Sequence, residues 1–370
     1  MPGVRAVGSR LQVFTDAAPA ARGLKSRIGA QKTMSSKPLS SPAQPLSVAP
    51  MMDWTDRHCR VFHRMISRHT HLYTEMITAP ALVRGGARHL LAHEPCEHPL
   101  TVQLGGSDPA ELGMAARICT EEGFQEVNLN VGCPSDRVRS GCFGAVLMRD
   151  PKRVAECAAA IAAAAPDLRV TVKCRIGVDE QDPQVVLPGF LDTVARAGVR
   201  HFVIHARKAW LQGLSPKENR DIPPLDPALV VQMKRQFPQL QIAINGGVTT
   251  LDEARQFLAA GLDGVMVGRA AYHTPYDVLA RADRDVFGDP APVAERAAIV
   301  ARMKPYIARH LAQGGRLHAV TRHMSGLFAG QPGARGWRRV LSEGAQAHGA
   351  GLEVLDAALG CVVAEDAAVS

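Results

Sequence analysis

The chain has 370 residues, 46% of them hydrophobic and 21% charged, with a formal net charge of +8. That length supports one large α/β domain plus a smaller one, and no run of about 18 apolar residues is present to cross a membrane. The charge is unevenly placed, since residues 1–45 hold seven Lys or Arg against the single Asp16 and supply +6 of it.

That first segment is rich in Ala, Ser, Pro and Arg and has no periodicity. It reads as a disordered leader or a start assigned too early, with Met34 as a second start; a transit peptide and a short RNA-touching arm share its composition. From Leu46 onward, strand-length apolar runs alternate with amphipathic stretches. The expected strands are Leu46–Pro50, Leu72–Ile77, Leu100–Leu104, Glu126–Val131, Val170–Arg175, Phe202–Ala206, Gln241–Asn245 and Gly264–Val267. Helical patterns follow at Pro109–Glu122, Pro151–Ala164, Gln184–Ala197, Pro227–Phe237 and Leu251–Ala260, each closed by Gly or Pro. Eight β-then-α units point to an α/β fold, a (β/α)8 TIM barrel over residues 46–288, followed by an all-helical domain over 289–370. Between Val293 and Glu343 that second part carries nine Lys or Arg with Glu295 as its only acid, and Arg335-Gly336-Trp337-Arg338-Arg339 sets cations around an aromatic. Contact with a phosphate backbone is expected there, against the plainer reading of solvated helix faces.

A TIM barrel puts its chemistry at the carboxyl ends of the strands. Polar residues gather there: Met51, Met52 and Asp53; Glu75; Gln103; Asn130 and Cys133; Lys173 and Arg175; His205 and Arg207; Asn245, Gly246 and Gly247; Gly268 and Arg269. Cys133 ends a buried strand with Gly132 before it and Pro134 after it, which holds the thiol at a fixed height as a proton donor or nucleophile; a core thiol is the bland alternative. Arg137, Arg139, Ser140, Gly141, Cys142, Phe143 and Gly144 form a polar loop expected to act as a mobile lid, or as an ordinary connection. Asn245-Gly246-Gly247 and Gly268-Arg269 close the last two strands, where glycines and backbone N–H groups make a phosphate cradle, or serve only as turns. Lys173 lies on an apolar strand and needs a partner: a flavin ring, a barrel acid such as Glu75, or a Schiff base. Eight cysteines without C-x-x-C pairs or a secretory signal imply a reducing cytoplasm, mostly buried thiols and no metal site.

Five motifs then make the chain resemble one family: Ser47-Val48-Ala49-Pro50-Met51-Met52-Asp53-Trp54-Thr55-Asp56, Asn128-Leu129-Asn130-Val131-Gly132-Cys133-Pro134, Val172-Lys173-Cys174-Arg175-Ile176-Gly177, Ile204-His205-Ala206-Arg207 and Asn245-Gly246-Gly247. The chain resembles the tRNA-dihydrouridine synthases. The stretch His205 to Arg220, with Pro223-Pro224-Leu225, is similar to their A subgroup, which reduces uridine 20 and 20a of the tRNA D-loop. The resemblance implies noncovalent FMN against Pro50, Met51 and Met52, with Gln103, Lys173 and His205 as further ligands and the phosphate on Asn245, Gly246, Gly247, Gly268 and Arg269. It implies NADPH as reductant, hydride transfer from flavin N5 to uracil C6, and a proton from Cys133 to C5. Asn130, Lys217, Asn219, Arg220, Arg335 and Arg338 are then expected to meet tRNA, in a monomer. A small-molecule FMN oxidoreductase of the dihydroorotate dehydrogenase type is the alternative, and an RNA-binding protein without catalysis is a third reading.

Overall fold

Eight strands form in the expected order: β1 Leu46–Val48, β2 Leu72–Thr78, β3 Leu100–Gly105, β4 Glu126–Val131, β5 Arg169–Arg175, β6 His201–His205, β7 Gln241–Asn245 and β8 Gly264–Val267. The computed structural model describes residues 44–135 and 143–369, with side-chain surroundings up to Val362. The leader to residue 43 and the lid positions Arg137, Arg139, Ser140, Gly141 and Cys142 lie outside the described residues. All neighbouring strands are parallel, in the order β1-β8-β7-β6-β5-β4-β3-β2. The ring closes where the Val48 N–H donates to the His71 carbonyl at 2.9 Å and the His71 N–H to the Leu46 carbonyl at 3.0 Å. This is a (β/α)8 barrel.

Several boundaries move by a residue or two for local reasons. β1 stops at Val48 rather than Pro50, because proline has no N–H to give a ladder. β6 runs one residue earlier than expected, since the chain already turns where the Arg207 N–H reaches the His205 carbonyl at 2.7 Å.

The helices that follow the strands are α1 Arg57–Ile66, α2 Ala79–Val83, α3 Pro109–Glu121, α4 Pro151–Ala164, α5 Pro183–Arg196, α6 Pro227–Gln236, α7 Leu251–Ala259 and α8 Arg269–His273. Four of them start on an Asp-Pro pair, in which the carboxylates of Asp108, Asp150, Asp182 and Asp226 accept a first-turn N–H at 2.8–3.0 Å. Proline at the first helical position needs no N–H partner, so the pair fixes each helix start at little cost.

Strand alternation separates two interiors. Outward residues such as Val127, Leu129, Val131, Ile242 and Ile244 are fully buried beneath the helices, each worth about 1.5–3 kcal/mol. Inward residues form only a small apolar cluster of Ala49, Tyr73, Val203, Ala243 and Met266. Below it lies a polar floor: Glu126 accepts from Gln44 at 3.0 and 3.1 Å and from the Thr101 hydroxyl at 2.7 Å, with Arg169 at 3.4 Å.

The remaining helices are α9 Pro275–Leu279, α10 Ala282–Asp285, α11 Arg296–Ala312, α12 Leu317–Thr321, α13 Ala334–Gly344 and α14 Leu352–Val369. They meet the barrel at α1, where Tyr306 Oη and His58 Nδ1 are 2.6 Å apart. Asp56, which caps α1, also accepts from Arg322 at 2.6 Å and pairs with His323 at 3.1 Å. Trp337 is fully buried, packed on Phe328 with its indole N–H on the Met324 carbonyl at 3.1 Å, so it anchors α13. Arg335 and Arg338 on the same helix are exposed. Among the described residues, no helix is long and apolar enough to cross a membrane.

Burial alone would raise the Glu126 carboxyl, but His71, His201 and the bonds from Thr101 and Gln44 hold it below its ordinary 4.5. Its contribution is therefore complete above pH 4.5 and lost as pH falls further. Glu126→Ala should cost about 3 kcal/mol at pH 7, because buried donors lose their acceptor. Urea midpoints should show that deficit, and the gap to wild type should narrow below pH 4.5.

Candidate active site at the barrel mouth

Inward residues of β3, β4 and β5 build a ladder of side-chain amides toward the mouth. Asn128 donates to the Thr171 hydroxyl at 2.9 Å, Gln103 to Asn128 at 2.8 Å and Asn130 to Gln103 at 2.8 Å. The ladder ends on Asn130 Oδ1, which accepts the N–H of Gly132 at 3.1 Å and of Cys133 at 3.0 Å. From the other side, the Ala145 N–H holds the Cys133 carbonyl at 2.9 Å. The half-buried thiol lies 3.5 Å from the Ser135 hydroxyl. Cys133 thus sits on a turn whose amide direction is set by β4 and its neighbours. Gln103 keeps one amide hydrogen beyond the one given to Asn128.

Lys173 rises from β5 and donates to Asn245 Oδ1 at 2.8 Å, while Asn245 Nδ2 donates to the Met266 carbonyl at 2.8 Å. The alternative of an ion pair with Glu75 is therefore not realised. Burial, then the neighbouring Arg175, pushes the Lys173 ammonium down to about 8. Burial also pushes His205 well below its ordinary value, helped by Arg175, Lys173, Arg207 and Arg220, so its ring is neutral at pH 7. His205 Nδ1 is buried without a hydrogen-bond partner.

Gly246, after β7, lies against that ring. Gly246 and Gly247 have φ of 101° and 79°, where a side chain is strained, and a Cβ on Gly246 would meet His205 Nε2 at 3.1 Å. A Cβ on Gly268 would touch only Ala49 and the Met51 sulfur, both at 3.8 Å, so an open cradle lies beside Met51. Pro50 and Met51 are half-buried along it, and Met52 is 52% exposed on the rim. An orphaned ring nitrogen, a glycine cradle and the cations Lys173, Arg207, Arg220 and Arg269 together fit an anionic, polar ligand.

The loop after β6 forms the other wall. Arg269 pairs with Asp221 at 2.8 Å, and Arg207 donates to the Pro223 carbonyl. Lys217 and Arg220 are exposed. Asn219, expected on the RNA side, is a correction: it is fully buried, accepts the Trp210 N–H at 2.7 Å and donates to the Trp210, Leu214 and Ser215 carbonyls. It shapes the loop from within. Phe143 and Gly144 also depart from the expected lid, since Phe143 is buried and Gly144 opens a 3-10 turn, Gly144–Arg149. The ladder partners Asn128 and Thr171 were not among the expected site residues, and their inward register on β4 and β5 was the signal available; Arg175 was expected only as a strand-end cation.

The dihydrouridine synthase family model matches residues 47–362. The chain belongs to the dihydrouridine synthase family. A tRNA-dihydrouridine(20/20a) synthase of Vibrio cholerae serotype O1 is 56% identical to this synthase over 315 residues, covering 85% of this chain and 95% of the relative. One from Escherichia coli (strain K12) is 54% identical over 314 residues, covering 85% and 90%. Among solved structures, the old yellow enzyme homologue from Zymomonas mobilis overlays 68% of this chain and 90% of its own at 12% identity and a TM-score of 0.47, a likeness that adds nothing about chemistry.

Gly247→Ala should test the cradle of this synthase. The left-handed backbone costs about 1–2 kcal/mol for a residue with a Cβ, and the new atom would lie 2.5 Å from Leu225 Cδ1. Chemical denaturation should show a loss larger than that strain alone, and adding Leu225→Ala should recover only the clash.

Proposed function

We propose that this dihydrouridine synthase reduces uridine 20 and 20a of the tRNA D-loop, with FMN in the barrel mouth and NADPH as reductant. The observation that carries the reading is the meeting, at one mouth, of a thiol on a fixed turn with a cationic glycine cradle and an unpartnered His205 nitrogen. The identity to relatives named for that reaction supports the substrate.

In this reading Pro50, Met51 and Met52 flank the flavin, and Gln103, Lys173 and His205 give it polar contacts. Gly246, Gly247, Gly268 and Arg269 hold its phosphate, with Asn245 orienting Lys173 through their 2.8 Å bond. A bound FMN, once reduced by NADPH, supplies the hydride that adds to uracil C6. Cys133 gives its S–H proton to C5, and Asn130, which fixes the Cys133 N–H, lies beside the extruded base. Drawing a uracil out of its stack costs a few kcal/mol. Lys217, Arg220, Arg335 and Arg338 offset that cost through backbone contacts that read the shape of the tRNA. The small-molecule alternative leaves these exposed arginines without a task.

Dihydrouridine mapping of tRNA from cells lacking the gene should show loss confined to position 20 or 20a, restored by the added protein. An unchanged profile would refute the substrate. Cys133→Ala should keep FMN and NADPH-driven flavin reduction but slow uridine reduction by about 10²–10⁴-fold, the usual share of a general acid; loss of FMN in that variant would refute the assigned role. Lys173 is a cation only below about 8 in the free protein, so FMN affinity should weaken as pH rises past that value. A fluorescence titration of Lys173→Met should lack this pH dependence.

A further inference from the structure

Arg175, at the end of β5, is 4% exposed and has no carboxylate partner among the described residues. Its guanidinium is used instead on three backbone carbonyls from three segments: Nε donates to Gly132 at 3.1 Å, and Nη1 to Lys208 and to Asn219, each at 3.0 Å. Gly132 is the residue before the proton donor. Lys208 and Asn219 bracket the loop that carries Lys217 and Arg220. Burial drives Arg175 down to about 10, with the Cys133 sulfur opposing it and Arg220 and Arg207 adding to it.

A buried cation without a counter-charge is expensive, and an apolar residue would fill the same volume at less cost. What an apolar residue cannot do is join three carbonyls, and a lysine, whose ammonium lacks the rigid fork, cannot reproduce this arrangement. The other ties to the Cys133 turn, from Asn130 and Ala145, come from the barrel side. Among the described residues, Arg175 is the one hydrogen-bonded link between that turn and the loop after β6.

We propose that Arg175 is the positioning residue that couples the proton donor to the substrate: it sets the Cys133 turn in register with the Lys217–Arg220 loop, so that tRNA seated on the loop presents its uracil at thiol height. The inference rests on the tRNA reading above. When the thiol gives its proton, the S–H bond breaks, a C–H bond forms at C5 as the hydride of the reduced flavin enters at C6, and the thiolate is left beside the guanidinium until solvent reprotonates it.

The test uses the full chain loaded with FMN, as wild type, Arg175→Lys and Arg175→Gln. Stopped-flow absorbance follows flavin reduction by NADPH and flavin reoxidation by unmodified tRNA, and filter binding gives tRNA affinity with and without FMN. Both variants should keep the flavin spectrum and the NADPH step within twofold. Reoxidation by tRNA should fall about 100-fold, the effect of roughly 1 Å of misplacement, with a larger solvent isotope effect, while tRNA affinity falls less than fivefold. Wild-type reoxidation in Arg175→Lys would show that charge alone suffices and overturn the proposal, and so would equal losses in both half-reactions. Should the Arg175 variants fail to fold, Asn219→Ala, which loosens the same loop at its far end, must reproduce the selective loss of the tRNA step or the proposal fails. A wild-type enzyme that is inert toward unmodified tRNA would refute the parent reading, whereas active wild type with unaffected variants refutes this inference alone.

Discussion

The mouth of this synthase depends on a relay of side-chain amides through the barrel interior. Thr171, Asn128, Gln103 and Asn130 are joined by bonds of 2.8–2.9 Å, and the relay ends on the N–H of Cys133. Buried amides are costly unless each finds a partner, and here the partners are one another. The arrangement exchanges an apolar barrel core for a rigid polar one. A loosened partner at any level would leave unpaired groups below the Cys133 thiol, so the geometry at the top inherits the order of the whole stack.

A second constraint acts on charge. Lys173, Arg175, Arg207, Arg220 and Arg269 converge on a region where Asp221 is engaged by Arg269. Lys173, Arg175 and Arg207 are held by carbonyl or amide oxygens and Arg269 by that carboxylate, so positive potential persists at the mouth. Such a field draws polyanions and favours an anionic ligand inside. Burial first, and that field second, keep His205 neutral, which leaves its ring one acceptor nitrogen and one donor.

The barrel was legible in the sequence because its signals are local: strand-length apolar runs, amphipathic stretches between them, and the Gly or Pro that closes each stretch. The mouth was legible because strand ends share one pole. What stayed hidden depended on contacts distant in sequence. Nothing near Asn219 announces that Trp210 and Leu214 will fold over it, and nothing near Trp337 announces Phe328 and the Met324 carbonyl. Arg175 was visible as a strand-end cation, but its three carbonyl partners come from segments up to 44 residues away. Strand ends moved where a proline or an early turn ended the ladder, as at Pro50 and Arg207.

Asp56 has a consequence for how such a protein can change over time. One carboxylate caps α1, receives Arg322 and His323 from the C-terminal helices, and lies next to a stretch where Trp54 stacks on Tyr272 at 4.6 Å. Burial would raise that carboxyl, yet His323, the Cys59 N–H and Arg322 hold it well below its ordinary range. The C-terminal helices are thus no detachable cartridge. Swapping them for those of a distant relative would orphan a half-buried charge at the start of the first barrel helix, four residues from Met52. Substrate range in this architecture is therefore freer to drift through single exposed arginines than through exchange of the helical segment as a block.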